Sequence, residues 1–258
     1  MNLVEAIILG AIQGVAEFLP ISSSGHLIIA RELMGVQHDS LAFDVGLHIA
    51  TLVAIIITLL PEIISLLKIG IEKPLKSLAI KIIIATIPVA IFGIFINEHA
   101  IRNVFTVSIA LIFWGIILII ADEVAKKAKF VKNLEKINWG QSILIGLAQV
   151  LALIPGTSRS GITITAGLFS GLDRVSAAKF SFLLAIPAIA GAGLLTGIKV
   201  LESGLDVSLP ALMAGMLSAF LFGIASIRFL LAFVRTKSYR VLAVYRIILG
   251  IILLLFFI

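Results

Sequence analysis

The stretch from Gln13 to His26, QGVAEFLPISSSGH, interrupts what is otherwise an apolar N-terminal helix. Gln13 and Glu17 stand one helical turn apart on one face, Pro20 ends the helix, and Ser22, Ser23, Ser24, Gly25 and His26 follow. The break matters because the chain is built for lipid: it is 60% hydrophobic and 13% charged, with a mean hydropathy of +1.21, against about 25% charged residues in soluble domains. In hydrocarbon an unsatisfied backbone group is costly, so irregular backbone persists only where protein or a wet cavity covers it. A polar break of this kind marks a site.

Several apolar segments reach the roughly 20 residues a helix needs to cross a bilayer. Residues 2–34 read as a re-entrant helical hairpin, because neither arm spans comfortably alone. A loop at 35–43 and spans over 44–67, 77–97 and 104–121 follow. The basic stretch 122–138 is the longest polar connection and the natural midpoint. The plan then repeats: 139–154 is broken by Pro155 in IPGTSRSG, 162–170 resumes, and spans run over 175–197, 209–232 and 241–258. ILGAIQG at Ile8–Gly14 resembles LIGLAQV at Leu144–Val150, with Gly10 and Gln13 matching Gly146 and Gln149 at a spacing of 136 residues. The expected fold is therefore an all-α polytopic membrane domain over 1–258, with about six transmembrane helices and two re-entrant hairpins. Its halves are 1–125 and 137–258. An odd number of spans per half turns the second copy upside down, so the hairpins enter from opposite faces and their tips meet near the midplane.

The net charge of +6 does not indicate nucleic-acid binding, because Lys and Arg fall in short loops between apolar spans. On one side lie Lys68, Lys73, Lys76, Lys81, Lys126, Lys127, Lys129, Lys132, Lys136, Arg174, Lys179, Arg228, Arg235, Lys237 and Arg240. The other side carries Arg31, Arg102 and Lys199. The positive-inside rule then puts both termini and the first hairpin on the outer face of the plasma membrane. The first segment lacks the basic start of a cleavable signal peptide. Cysteine is absent, which excludes disulfides and thiolate metal sites.

Glu17 and Arg159 are the clearest intramembrane charges, one on each hairpin, and such residues are functional by default. A purely structural ion pair is the plain reading, but it leaves the surrounding Ser22, Ser23, Ser24, His26, Ser158, Ser160 and Thr163 without a purpose. Ser/Gly-rich turns leading into helices, with an Arg, are suited to holding a tetrahedral oxyanion through backbone N–H groups, helix N-termini and a guanidinium fork. This points to phosphoryl chemistry, with Ser or His as nucleophile or proton carrier.

These motifs resemble those of the BacA/UppP undecaprenyl-diphosphate phosphatases. QGVAEFLPISSSGH matches the family's (E/Q)xxxE motif and Ser-rich turn, and PGTSRSGIT at Pro155–Thr163 matches its PGxSRSxxT signature. FDVGLHIATLVAI (Phe43–Ile55) and FLLAIPAIAGA (Phe182–Ala192) are also similar to that family. The resemblance implies hydrolysis of undecaprenyl diphosphate to undecaprenyl phosphate and phosphate, recycling the cell-wall lipid carrier, with bacitracin resistance on overproduction. It also implies an interdigitated inverted repeat whose cavity opens outward.

On this reading the catalytic candidates are Glu17, Ser22, Ser23, His26 and Arg159. Arg159 clamps the terminal phosphate, Ser23 or Ser22 attacks in line, and His26 or Glu17 takes the proton. Gln13, Ser24, Gly25, Gly156, Thr157, Ser158, Ser160, Gly161 and Thr163 are the substrate-binding candidates. A divalent cation, Mg or Ca, bridging Glu17 and the diphosphate is the one cofactor implied; Gln13 takes the place of a second carboxylate. The partners are the polyprenyl diphosphate and membrane lipids. A lipid-phosphate transporter would need much the same cavity and is the competing function. Among the remaining residues, Asp44 and His48 are expected to share a structural i,i+4 hydrogen bond, Arg246 to snorkel to headgroups, and Pro88 and Pro187 to kink their spans.

Overall fold

The structure, a computed structural model, describes residues 1–36, 40–72, 77–95, 103–127 and 133–257. Lys73, Lys76, Arg102, Lys129 and Lys132 of the charge count lie outside the described residues. The elements in order are α1 (Leu3–Phe18), α2 (Ser23–Met34), α3 (Leu41–Thr58), α4 (Leu60–Glu72), α5 (Leu78–Phe95), α6 (Val104–Lys127), α7 (Trp139–Gln149), α8 (Arg159–Phe169), α9 (Arg174–Ser203), α10 (Leu209–Thr236) and α11 (Arg240–Phe257). Short 3₁₀ turns occupy Leu134–Lys136 and Val150–Leu153. The protein is thus all-α and polytopic. Helices α3, α5, α6, α9 and α10 are long and apolar enough to cross a membrane.

Both expected helix–break–helix segments form, as α1–α2 and α7–α8. Each opens on the same capping box. Asn2 and Asn138 accept the backbone N–H of Glu5 and Gln141, whose side chains in turn accept the cap N–H. Two expected boundaries move. The span over 44–67 breaks at Leu59, because Pro61 has no N–H for a continuing helix and is tolerated only in the first turn of a new one. The polar connection over 122–138 does not begin at 122, since α6 runs on to Lys127. Asp122 is 1% exposed and bonded by Arg174 at 2.6 and 2.8 Å, so the carboxylate ties α6 to the start of α9 rather than facing water. The final segment is helical from Arg240 to Phe257.

Helix α1 packs along α10 at backbone contact distance. A Cβ built on Gly10 would lie 2.2 Å from the Gly215 carbonyl oxygen, and one on Gly14 would lie 2.5 Å from that of Ala219. Gly10 and Gly14 are four residues apart, the small-residue spacing that lets membrane helices approach without an intervening side chain. Ser218 and Ser226 of α10 reinforce the seam by donating to the carbonyls of Ile7 and Val15. The same device recurs between α7 and α5, where a Cβ on Gly146 would meet the Ala85 carbonyl at 2.3 Å. A large apolar cluster joins the two regions, with Phe18 of α1 set edge-on against Phe182 of α9. In contrast, α5, α10 and α11 present outward rows of Ile, Leu and Phe, the surface a lipid-facing helix needs.

Gly10→Ala is therefore expected to destabilise the protein by about 1–3 kcal/mol through overpacking. Gly191→Ala, with nothing within 4 Å of the added carbon, should be neutral or mildly stabilising. Thermal unfolding midpoints of the two variants in detergent check the contrast.

Candidate active site

The turns of the two hairpins share one unusual backbone. Ser22 and Ser158 have φ of 75° and 73°, and they are the only non-glycine residues with positive φ among those described. Such a conformation costs about 1–3 kcal/mol and persists only where the surroundings enforce it. Each serine is the N-cap of the following helix. Ser22 Oγ accepts from Gly25 N at 3.4 Å, and Ser158 Oγ accepts from Gly161 N at 3.1 Å. Each hydroxyl also lies beside the serine two residues on, Ser24 at 3.3 Å and Ser160 at 3.2 Å.

The hairpins meet at Glu17. Its Oε1 accepts from Arg159 Nη2 at 2.8 Å; its Oε2 accepts from Ser23 Oγ at 2.7 Å and Gln13 Nε2 at 3.1 Å. Gln13 is fully buried, and its Nε2 also lies 3.1 Å from His48 Nδ1, which is 3.8 Å from Glu17 Oε2. The other arm of the Arg159 fork donates to the Ser181 carbonyl at 3.1 Å, which aims the guanidinium at the first hairpin. Thr163 Oγ1 sits 2.8 Å from the Arg159 carbonyl and 2.7 Å from Ser181 Oγ, bracing the same turn of α8 against α9. A carboxylate, a hydroxyl that donates to it and a guanidinium converge here, at the buried end of α1 and the buried start of α8. That is the equipment for activating a nucleophile and steadying developing negative charge.

Comparison with known proteins gives the family of the chain. The family model described as bacitracin resistance protein BacA matches residues 6–252. The chain belongs to the BacA family. It is 41% identical to an undecaprenyl-diphosphatase of Moorella thermoacetica over 256 residues, covering 97% of this chain and 96% of the relative. It is 43% identical to an undecaprenyl-diphosphatase of Alteromonas mediterranea, with 99% of each chain covered. It is 40% identical to one of Elusimicrobium minutum, with 99% of this chain and 98% of the relative covered.

Within this BacA-family chain the expected residues divide into two groups. Glu17, Ser23, Arg159 and Gln13 form the hydrogen-bonded centre just described. Ser22, 1% exposed, is engaged as a helix cap. Both ring nitrogens of His26 are engaged elsewhere than at Glu17: the Ser22 carbonyl can only accept, so Nδ1 carries the proton across 2.7 Å, while Nε2 lies 2.7 Å from the Tyr245 hydroxyl of α11. The hydroxyls of Ser158, Ser160 and Thr163, expected as donors to phosphate, are bonded within the protein, Ser160 to the Leu19 carbonyl at 3.0 Å. Thr157 is fully buried, and its Oγ1 has no partner among the described residues. Gly25 and Gly156 both press on Val107 of α6. At Gly156, with φ of 89°, an added Cβ would lie 2.6 Å from the Val107 carbonyl.

Two expectations are corrected. Asp44 does not bond His48; it pairs with Arg31 of α2, which leaves His48 free to turn towards Gln13. Arg246 does not reach headgroups. It is fully buried, donating to the carbonyls of Leu111, Pro20, Gly156 and Thr157 at 3.2, 3.2, 2.9 and 2.8 Å. Its position one and a half turns inside an apolar helix was the available signal, and distance from the helix end should have outweighed the nearby basic residues. Ser181 and His48 were missed as partners of the site because a span residue's neighbours across the bundle are not encoded locally.

Arg246→Met leaves the turn carbonyls of Pro20, Gly156 and Thr157 without their donor, each costing about 1–3 kcal/mol. A fall in the detergent unfolding midpoint much larger than that of Arg228→Met, whose side chain is exposed, is the expected result. Similar midpoints for the two variants would remove Arg246 from the scaffold of the site.

Proposed function

We propose that the protein hydrolyses undecaprenyl diphosphate to undecaprenyl phosphate and inorganic phosphate, returning the lipid carrier to cell-wall synthesis and giving bacitracin resistance when overproduced. The observation that carries this reading is the Ser23–Glu17–Arg159 arrangement, set in a chain whose full-length relatives are named undecaprenyl-diphosphatases. Ser23 Oγ attacks the terminal phosphorus and Glu17 takes its proton across the 2.7 Å hydrogen bond. The anhydride P–O bond breaks, and undecaprenyl phosphate leaves with the bonding electrons. Water then releases phosphate from Ser23. Ser22 is the weaker candidate for nucleophile because its oxygen caps α2. His26, held by Ser22 and Tyr245, positions the turn of α2.

Arg159 grips the transferring phosphoryl group, for which positioning and charge stabilisation are the main catalytic terms. Its fork suits paired oxygens in a way a lysine ammonium does not. Ser158, Ser160, Gly161 and Thr163 set the turn that carries it, while Ser24, Gly25, Gly156 and Thr157 shape the backbone around the headgroup. A divalent cation of the Mg or Ca type would be held by the Glu17 carboxylate together with diphosphate oxygens, the pattern in which such ions bind phosphates, and would neutralise charge on the diphosphate.

We further propose that the fold is an inverted repeat of 1–125 and 137–258, with six crossings, two re-entrant hairpins, and both termini and the site on the outer face of the plasma membrane. Supporting the repeat, the caps Asn2 and Asn138, the strained Ser22 and Ser158, and Gly10 and Gly146 in their helix seams all share one offset of 136 residues. The prenyl tail runs between helices into lipid.

Purified wild type in detergent is expected to release phosphate from a polyprenyl diphosphate. Ser23→Ala and Arg159→Lys should each lower the rate by about 100-fold or more, the scale of losing the nucleophile or one charge-stabilising contact. Near-full activity in both variants would remove the assignment. For orientation, single cysteines introduced at the C-terminus and at Lys237 should react with an impermeant maleimide from outside and inside respectively; the reverse pattern overturns the topology.

A further inference from the structure

Away from the hairpins, α3, α4, α9 and α10 leave a cavity of about 280 Å³ lined by Thr58, Glu62, Lys179, Arg228, Leu231 and Arg235, among others. Thr58 lies ten residues after His48 on α3, about 15 Å along the helix, so the cavity is separate from the catalytic centre. Its charges do not balance. Lys179 Nζ donates to Glu62 Oε1 at 2.8 Å, accounting for the one carboxylate. Arg228 and Arg235 have no carboxylate partner among the described residues. Seven residues apart on α10, they lie on one face two turns from each other. Thr58 Oγ1 is buried and unpartnered, although a helix hydroxyl in an apolar setting ordinarily bonds the carbonyl four residues back. Two exposed guanidiniums without a carboxylate partner thus line one space whose remaining wall includes Leu231, and the Thr58 hydroxyl beside it is itself buried.

We propose that this cavity binds a phosphate dianion, presented by the phosphomonoester headgroup of a membrane lipid. Two guanidinium forks match the two charges and the splayed oxygens of such a group. Basic pockets between membrane helices recognise lipid phosphates in this way. The apolar side chains of Leu59, Leu231 and Ala232 in its wall give an acyl chain a surface that a free ion would not use. The site does not depend on the phosphatase reading, since what it predicts is binding.

The test is native mass spectrometry of the full chain in neutral detergent, titrated with dioleoyl phosphatidic acid, dioleoyl phosphatidylcholine or inorganic phosphate. Phosphatidic acid should be retained at least about ten-fold better than phosphatidylcholine, and the Arg228→Ala/Arg235→Ala double variant should lose about that factor, the scale of charge-assisted hydrogen bonds. Lys237→Ala, exposed and outside the cavity, should bind as wild type. Glu62→Gln should bind more tightly, because Lys179 is released to the ligand, a gain that misfolding cannot produce. Inorganic phosphate binding with the same arginine dependence, and displacing phosphatidic acid, would overturn the lipid as the source. Undiminished phosphatidic acid binding in the double variant, or weaker binding in Glu62→Gln, would overturn the site.

Discussion

Four backbone carbonyls, from Leu111, Pro20, Gly156 and Thr157, converge on the guanidinium of Arg246. A helical hairpin that turns inside a bundle must leave carbonyls without helical partners, and at this depth there is little water to take them. One fully buried arginine supplies donors to both turns at once. Arginine suits the task because its donors are fixed in a plane and its charge cannot be discharged at ordinary pH. No carboxylate lies within ion-pairing distance of it among the described residues, so the carbonyl dipoles carry the compensation. Ser160 adds a second strap between the turns by donating to the Leu19 carbonyl. The two tips therefore behave as a single body, and that rigidity lets Glu17 from one hairpin and Arg159 from the other hold a 2.8 Å contact.

The strain at Ser22 and Ser158 follows from the same arrangement. The turn needs positive φ to bring the helix start round beneath the tip, which glycine would supply without cost. Glycine, however, would leave the N–H groups of Gly25 and Gly161 uncapped, and an N-cap of this type is worth about 1 kcal/mol. The glycines are needed three residues later instead. A Cβ on Gly161 would sit 2.8 Å from Arg246 Nη1, and one on Gly25 would sit 3.1 Å from a Val107 methyl. Serine then glycine is thus one unit at each turn: the first residue caps and bears the strain, the second leaves room for the pinning residues.

Much of this was legible from residue order. Broken helices, polar turns and the matched glycines could be read directly, because Pro, Gly and Ser in hydrocarbon have few roles. The helix break at Leu59 was not read, since hydropathy runs unchanged through Leu59–Leu60–Pro61 and only the proline's geometry gives it away. Asp122 misled in the other direction: a charged residue beside a basic run looks like a loop, yet its partner Arg174 is brought in from another helix. His48 shows the same limit. Its local neighbour Asp44 was the obvious partner, but Arg31 competes successfully for that carboxylate, since a guanidinium forms two charge-assisted bonds where imidazole forms one. Residue types announced the site; tertiary competition for partners decided who joined it.

The two turns are alike in scaffold and opposite in chemistry. At the 136-residue offset Ser22 faces Ser158, Ser24 faces Ser160 and Gly25 faces Gly161, all in the same capping geometry. At two positions beside these the match fails: Ser23 corresponds to Arg159, and Glu17 to Leu153. Identical halves would have set carboxylate against carboxylate or guanidinium against guanidinium at contact distance, and like charges there repel strongly in a poorly solvated interior. Opposite charges instead satisfy each other across the 2.8 Å contact. Gln149 shows the consequence of the mismatch. It matches Gln13, is fully buried, and neither atom of its amide has a hydrogen-bond partner among the described residues, because the residue one turn on is Leu153 rather than a glutamate. The first hairpin carries the acid and the hydroxyl, the second carries the cation, and only their packing brings the three together.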